Sequence, residues 1–279
     1  MSKIKSYLIA FLSIGSLLFS CKQSPPPELP NEGEKGDLYF SGYYFNYKDR
    51  PTPVGPGPNR FLGTAENVWV DSTGYLHLRI AKKNNLWYCS EIISTREFGY
   101  GTYVFTCLTD IRNFDRKTVF GFFTWDDYSF QEQANSEVDI EFSKWNVAGD
   151  TDLVNYAVQP VIFSNPTPYL ERSNKPPIPT SYISKPMTHM MKWTPNEIIW
   201  ESYEGENYPG VNKVASWRFD TTNIARKKIE GSRVSDSIII PAPSDSTNLR
   251  FNFWLLNGSA PDNGLNHEIV IKNFTYTPL

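Results

Sequence analysis

Basic residues are not in excess in this chain: 27 Lys and Arg stand against 30 Asp and Glu over 279 residues, a formal net charge of −3. No Lys/Arg run exceeds the three residues Arg226 to Lys228, so the electrostatic footprint of a nucleic-acid binder is missing. Histidine is scarce, and His77, His189 and His267 are scattered without metal-ligand or catalytic-triad spacing. Hydrogen bonding in the core or at the surface is the expected role for each. There is no internal repeat. Helix-like composition is confined to Thr221 to Asp236, where Gly231 and the neighbouring serines weaken it. The apolar run Tyr7 to Phe19 is too short to span a bilayer as a helix.

The chain is instead rich in aromatic residues, with 8 Trp, 16 Tyr and 18 Phe in a sequence that is 40% hydrophobic. Aromatics fill cores and also serve as flat platforms for ligand rings. Short alternating segments rich in aromatic and β-branched residues recur at Tyr75 to Ala81, Gly101 to Asp110, Val119 to Trp125, Glu137 to Phe142 and Leu153 to Phe163. Others follow at Glu197 to Tyr203, Val211 to Phe219, Leu249 to Leu256 and Glu268 to Tyr276. Gly, Pro, Asn and Asp separate them, which predicts an all-β antiparallel sandwich or barrel in one domain. The proline-rich segment Ser164 to Pro186 lacks alternation. Loops of that length are usually functional walls or lids, or disordered, and this one is expected to wall a cleft.

One alternating segment carries an unusual charge pattern. Glu137, Asp139 and Glu141 interleave with Val138, Ile140 and Phe142, so the three carboxylates share one strand face and the apolar residues share the other. Like charges on neighbouring positions of one face repel, and a purely structural strand would gain by mixing signs. Two glutamates four residues apart have Cα atoms about 13 Å apart. Side chains leaning inward bring their carboxyl groups to about 5 Å, the separation used in retaining glycoside hydrolysis. Such a pair keeps one carboxylate ionised as nucleophile and the other protonated as acid.

The start of the chain reads as an export signal over residues 1–20, with Lys3 and Lys5 ahead of the apolar run. Leu18-Phe19-Ser20-Cys21 resembles the lipobox of bacterial lipoproteins. That resemblance implies lipidation of Cys21 and a membrane-anchored protein of a bacterial cell envelope. Residues 21–37 are rich in Pro, Glu, Gly and Ser and suit a flexible linker, leaving residues 38–279 as the folded domain. In an exported chain a disulfide between Cys89 and Cys107 could form and persist. The two flank Glu97-Phe98-Gly99-Tyr100-Gly101 almost symmetrically, so a hairpin would set them opposite each other; two buried free thiols are the alternative.

Around the acid strand the chain resembles family 16 glycoside hydrolases, in particular the lichenases. Ser90-Glu91-Ile92-Ile93-Ser94-Thr95 with Phe98-Gly99-Tyr100-Gly101-Thr102-Tyr103 resembles the family's strand, turn and Tyr-Gly-x-Tyr strand. Phe122-Phe123-Thr124-Trp125, Trp193-Thr194-Pro195 and Asn252-Phe253-Trp254 resemble further family segments in the same order. The resemblance implies a concanavalin-like β-jelly-roll whose concave sheet forms a sugar cleft, and retention of anomeric configuration. Glu137 would be the nucleophile, Asp139 the assisting carboxylate and Glu141 the acid/base. Glu91, Phe123, Trp125, Asn155, Asn252 and Trp254 match positions that bind sugar. Ile93 stands where lichenases carry an arginine, and Ala157 where an aromatic is expected. Both departures point away from mixed-linkage glucan toward another β-linked polysaccharide or oligosaccharide.

The expected protein is therefore an endo-acting retaining glycoside hydrolase of a β-glucan-like or β-galactan-like polymer, acting as a monomer and tethered to a membrane. No cofactor is implied. Relatives carry a structural calcium on the convex side, but no acid cluster here singles out a site. Two alternatives are a surface lipoprotein that binds glycan without cutting it, since fold alone does not decide function, and a transglycosylase, which differs only in the acceptor.

Overall fold

The computed structural model of the chain describes residues 35–129, 133–159, 172–220 and 240–279. Its strands, in chain order, begin with β1 (Leu38–Phe40), β2 (Tyr43–Tyr47), β3 (Arg50–Val54), β4 (Asn59–Phe61), β5 (Val68–Val70) and β6 (Leu76–Lys83). Next come β7 (Leu86–Tyr88), β8 (Ser90–Glu97), β9 (Gly101–Cys107), β10 (Thr118–Trp125), β11 (Val138–Ser143) and β12 (Val154–Val158). The remainder are β13 (Ser173–Asn174), β14 (Met187–Trp193), β15 (Glu197–Glu204), β16 (Lys213–Asp220), β17 (Asn248–Leu255) and β18 (His267–Pro278). One α-helical turn, α1 (Thr180–Ile183), lies in the proline-rich segment.

Two antiparallel sheets make an all-β jelly-roll sandwich, as the alternation predicts. The first runs β1-β2-β8-β17-β10-β11-β12-β13, and the second β16-β15-β14-β9-β18-β6-β5. Their facing sides interleave aromatic rings. Phe251 of β17 lies within 6.3 Å, centroid to centroid, of Phe40, Phe45, Phe105, Phe122 and Phe274, so rings of both sheets meet on one residue. Alternate residues of β17 and β10 point away from this core, and those positions form the outer face of the first sheet.

Strand β14 escaped the alternation because its core-facing positions include a histidine. His189 is buried, stacked on Phe105, and its Nδ1 lies 2.7 Å from the Ser202 hydroxyl. Burial pushes its pKa down to about 3, so it sits in the core as a neutral ring. Expected boundaries moved by a few residues: the 101–110 segment ends at Cys107, and the 211–219 segment starts at Lys213. Residues 1–34, including Cys21 and most of the linker, lie outside the described residues, as do 160–171 and the helix-like 221–236.

The hairpin expected around Glu97–Gly101 is corrected. β8 belongs to the first sheet and β9 to the second, so the turn crosses between layers instead of pairing its flanks. Cys89 and Cys107 are both buried free thiols. Cys89 donates to Asn59 Oδ1 at 3.4 Å, Cys107 lies 3.8 Å from the Thr109 carbonyl, and burial pushes each thiol up to about 12. Among the described residues no helix is long and apolar enough to cross a membrane.

Candidate active site

Strand β11 occupies the middle of the first sheet, between β10 and β12, and its register fixes what surrounds each acid. Glu141 stands opposite Asn155 on one side and Gly121 on the other; Gly121 faces Asn252, and Asn252 faces Glu91. The adjoining row runs Ala157, Asp139, Phe123, Arg250, Ile93. All of these positions have the parity of the outer face. The sequence-predicted residues Glu91, Phe123, Asp139, Glu141, Asn155 and Asn252 thus come together on one surface from five neighbouring strands.

Glu137 precedes the first residue of β11 instead of lying inside it. It follows three successive left-handed residues, Ala134 (φ 48°), Asn135 (φ 60°) and Ser136 (φ 51°). Each costs about 1–3 kcal/mol in a residue other than glycine, and the surroundings overdetermine the turn. Asp126 N donates to the Asn135 carbonyl at 2.6 Å, Asn135 Nδ2 to the Asp126 carbonyl at 2.7 Å, and Ser136 Oγ to the Ala242 carbonyl at 2.7 Å. Thr124 Oγ1 donates to the Ser136 carbonyl at 2.7 Å. Asp126 itself accepts from Ser244 and Ser246 at 2.6 and 2.8 Å. Burial alone would raise its pKa, yet these bonds and the Tyr128 N–H hold it at about 2. Beyond the turn, the Gln159 N–H donates to the Glu137 carbonyl at 3.0 Å.

Asp139 is held from both layers. Gln159 Nε2 donates to its carboxylate at 3.1 Å, and from the second sheet the Trp200 indole N–H reaches its carbonyl at 3.0 Å. Asn155 Nδ2 donates to Glu141 Oε2 at 3.0 Å. Asp139 is 3% exposed, whereas Glu137 and Glu141 keep part of their surface open.

Such crowding raises every pKa in the group. Burial, then repulsion from Glu141, pushes Glu137 up to about 8; a hydrogen bond with Asp139 and the attraction of Arg250 act the other way. Asp139 rises well above the usual carboxylate range through burial and both glutamate charges. Burial lifts Glu141 to about 7 against the pull of the Asn155 amide. A side-chain hydrogen bond also joins Asp139 to Glu137. The three titrate as one unit holding protons at neutral pH.

Aromatic rings flank the acids. Phe123 and Trp125 meet edge to face at 6.3 Å on one side. Trp254, two residues beyond Asn252, meets Trp145 at 6.4 Å on the other. Asn252 is 3% exposed and its Oδ1 has no hydrogen-bond partner among the described residues. A Cβ on Gly121 would lie 2.6 Å from that oxygen, so glycine is required where Asn252 crosses β10.

Glu91 is more enclosed than a solvated strand acid. It is 1% exposed, with Lys48 Nζ at 2.8 Å from Oε2 and Arg250 Nη1 at 3.4 Å from Oε1. Arg250, Lys48 and Gln159 escaped the sequence reading. Arg250 lies two residues before Asn252 on the same parity, the one signal that could have placed it on this face. Among the described residues, no group of three or more His, Cys, Asp or Glu is arranged to hold a metal ion.

No protein-family model matches the chain, and no curated protein matches it. Solved structures do. The β-glucanase of Bacillus licheniformis shares 18% identity with a TM-score of 0.53, over 87% of this chain and 95% of that one. One of the endo-acting O-glycanases by which human gut microbiota initiate mucin breakdown shares 16% identity with a TM-score of 0.55, over 86% and 92%. A laminarinase from Flavobacterium sp. UMI-01 shares 11% identity with a TM-score of 0.55, over 83% and 92%. At these identities the likeness is one of fold.

The raised carboxyl pKa values set a stability dependence on pH. From the ordinary glutamate value of 4.5 up to about 8, the folded chain holds protons that the unfolded chain has lost. The stability they contribute is complete below pH 4.5 and is lost as pH rises through 7 to 8. Glu137→Gln removes one buried charge, so its melting temperature is expected to exceed that of the parent at pH 8.5 by several degrees and to match it at pH 4. Calorimetry across that range checks this; an equal offset at both pH values would contradict the raised pKa.

Proposed function

We propose that the chain is an endo-acting glycoside hydrolase that cleaves a β-linked polysaccharide with retention of configuration. The observation that carries this reading is the acid strand: three carboxyl groups on alternate residues of one outer face, sharing protons and flanked by aromatic rings on both sides. A surface that only binds sugar has no need of paired buried carboxyls. The fold likeness to a β-glucanase, a laminarinase and a mucin O-glycanase supports the same class of reaction.

In this mechanism the Glu141 carboxyl gives its proton to the glycosidic oxygen as the bond to the anomeric carbon breaks, while the Glu137 carboxylate attacks that carbon from the opposite side. A glycosyl ester forms and the leaving chain departs. Glu141, now a carboxylate, takes a proton from water, and the hydroxyl attacks the anomeric carbon and frees Glu137. Two inversions give net retention. Asp139 acts through its hydrogen bond to Glu137, steadying the carboxylate that must stay ionised. Asn155 holds Glu141 in place and tempers its pKa.

The polymer is proposed to be β-glucan-like or β-galactan-like. The three solved structures act, by their names, on β-glucan, laminarin and mucin glycans, so one fold serves several backbones. Ile93 and Ala157 in the row beside Asp139 argue against mixed-linkage glucan. We further propose that Cys21 is lipidated and tethers residues 38–279 to a bacterial envelope membrane through the linker.

A panel of laminarin, barley β-glucan, β-galactan and gastric mucin, assayed for reducing ends, tests the reaction. At least one polymer is expected to be cut, and Glu141→Gln should lower kcat by about 10²- to 10⁴-fold, the range for loss of a general acid/base. Glu137→Gln should abolish turnover. NMR of the first products should show the β anomer. Unchanged cleavage by Glu137→Gln, or an initial α anomer, would remove this mechanism. Glycan retardation without reducing ends would favour the binding reading. Separately, Cys21→Ala should move the protein from the membrane fraction to the soluble one; an unmoved protein would refute the anchor.

A further inference from the structure

Beside the acids, the outer face of the first sheet holds a second charged arrangement, whose Arg250 also attracts the Glu137 carboxylate. Arg250 stands opposite Phe123, which stands opposite Asp139; two strand spacings put it about 10 Å from the acid strand. Its guanidinium is largely enclosed, with a side chain 10% exposed. Nε donates to Asn248 Oδ1 at 2.7 Å and Nη1 to Glu91 Oε1 at 3.4 Å, and the group lies 5.4 Å from the centre of the Trp125 ring.

The charges here do not balance inside the protein. Lys48 and Arg250 are two enclosed cations, and Glu91, 1% exposed, is the one enclosed anion they share, with Lys48 the nearer at 2.8 Å. The remaining positive charge is met from the rim by Asp127, which is 65% exposed. Its carboxylate is gripped by two donors: Trp125 Nε1 at 2.7 Å from Oδ1 and Arg250 Nη2 at 3.1 Å from Oδ2. An indole N–H and one guanidinium N–H converging on one carboxylate are a ready-made oxyanion site. The present occupant is an acid on the solvent rim, bound by an exposed ion pair of small net value.

We propose that Trp125 and Arg250 form a subsite for an oxyanion on the glycan, a uronic carboxylate or a sulfate ester, and that Asp127 holds this place until such a substrate displaces it. This rests on the glycan-cleaving reading and narrows it to acidic polysaccharides. Asn248 and Glu91, the latter itself held by Lys48, fix the guanidinium from behind.

The test uses the full chain carrying Glu137→Gln, so that ligand is bound but not cut, and titrates it calorimetrically with laminarin, carboxymethyl-laminarin and laminarin sulfate. At least one acidic form should bind tenfold or more tighter than laminarin, with an advantage that shrinks as salt rises; which form wins identifies the oxyanion. Adding Arg250→Met should erase the preference while laminarin still binds. Arg250→Lys, which keeps the charge without the fork, should retain part of it and keeps the test readable if the methionine variant does not fold. Adding Asp127→Asn should tighten the acidic forms severalfold and leave laminarin unchanged, an effect a merely structural ion pair would not produce. Equal affinity for the three polymers, or no gain in Asp127→Asn, overturns the subsite alone. If neither these polymers nor the cleavage panel bind at all, the glycan reading falls and this one with it.

Discussion

Three carboxyl groups on alternate residues in and just before one strand cannot all be ionised in a shielded row, and the arrangement around β11 follows from that constraint. Water would ordinarily stabilise each charge, but the neighbouring strands and rings remove much of it. The group therefore retains protons that isolated acids would release, and Asp139, the most buried, is hydrogen-bonded to Glu137. The cost is stability at alkaline pH. What is gained is a set of carboxyl groups that exchange protons near neutrality, the range in which acid–base chemistry on a glycosidic bond operates.

Keeping these groups apart and aimed takes the rest of the fold. The second sheet contributes directly: Trp200 passes its indole N–H across the core to the Asp139 carbonyl, so the two layers are tied at the residue hydrogen-bonded to Glu137. Asn155 of β12 holds Glu141, and Gln159, the residue just past β12, holds the Asp139 carboxylate and the Glu137 carbonyl. The left-handed turn at 134–136 redirects the chain into Glu137, and its unfavourable backbone is tolerated because Asp126, Thr124 and the 241–246 segment fasten it. Strained backbone that persists next to a proposed nucleophile is consistent with a site built for position.

Much of this was legible in the sequence because a strand has a period of two. Alternation alone placed Glu137, Asp139 and Glu141 on one face, and equal parity put Phe123 with Trp125 and Asn252 with Trp254 on the same surface. Pairing across strands is not encoded locally, which is why Arg250 went unnoticed and why nothing in the sequence showed that Glu91 anchors two cations. The hairpin that would have set Cys89 opposite Cys107 is absent for the same reason, and of the two alternatives the free thiols hold: a short turn looks alike whether its flanks pair or part into opposite sheets. β14 was missed because a core histidine interrupts its apolar pattern, and its satisfaction by Ser202 is a tertiary fact.

The central claim is that Glu137 becomes covalently glycosylated. An aryl β-glycoside of the sugar identified by the polymer panel needs no acid to lose its leaving group, and without the Glu141 base the ester should be slow to hydrolyse. Peptide mass spectrometry of Glu141→Gln quenched during turnover is therefore the most direct measurement. The account predicts one added glycosyl unit on the peptide containing Glu137, localised to that residue by fragmentation. An adduct on a different residue, or none while sugar of inverted configuration is released, would contradict it.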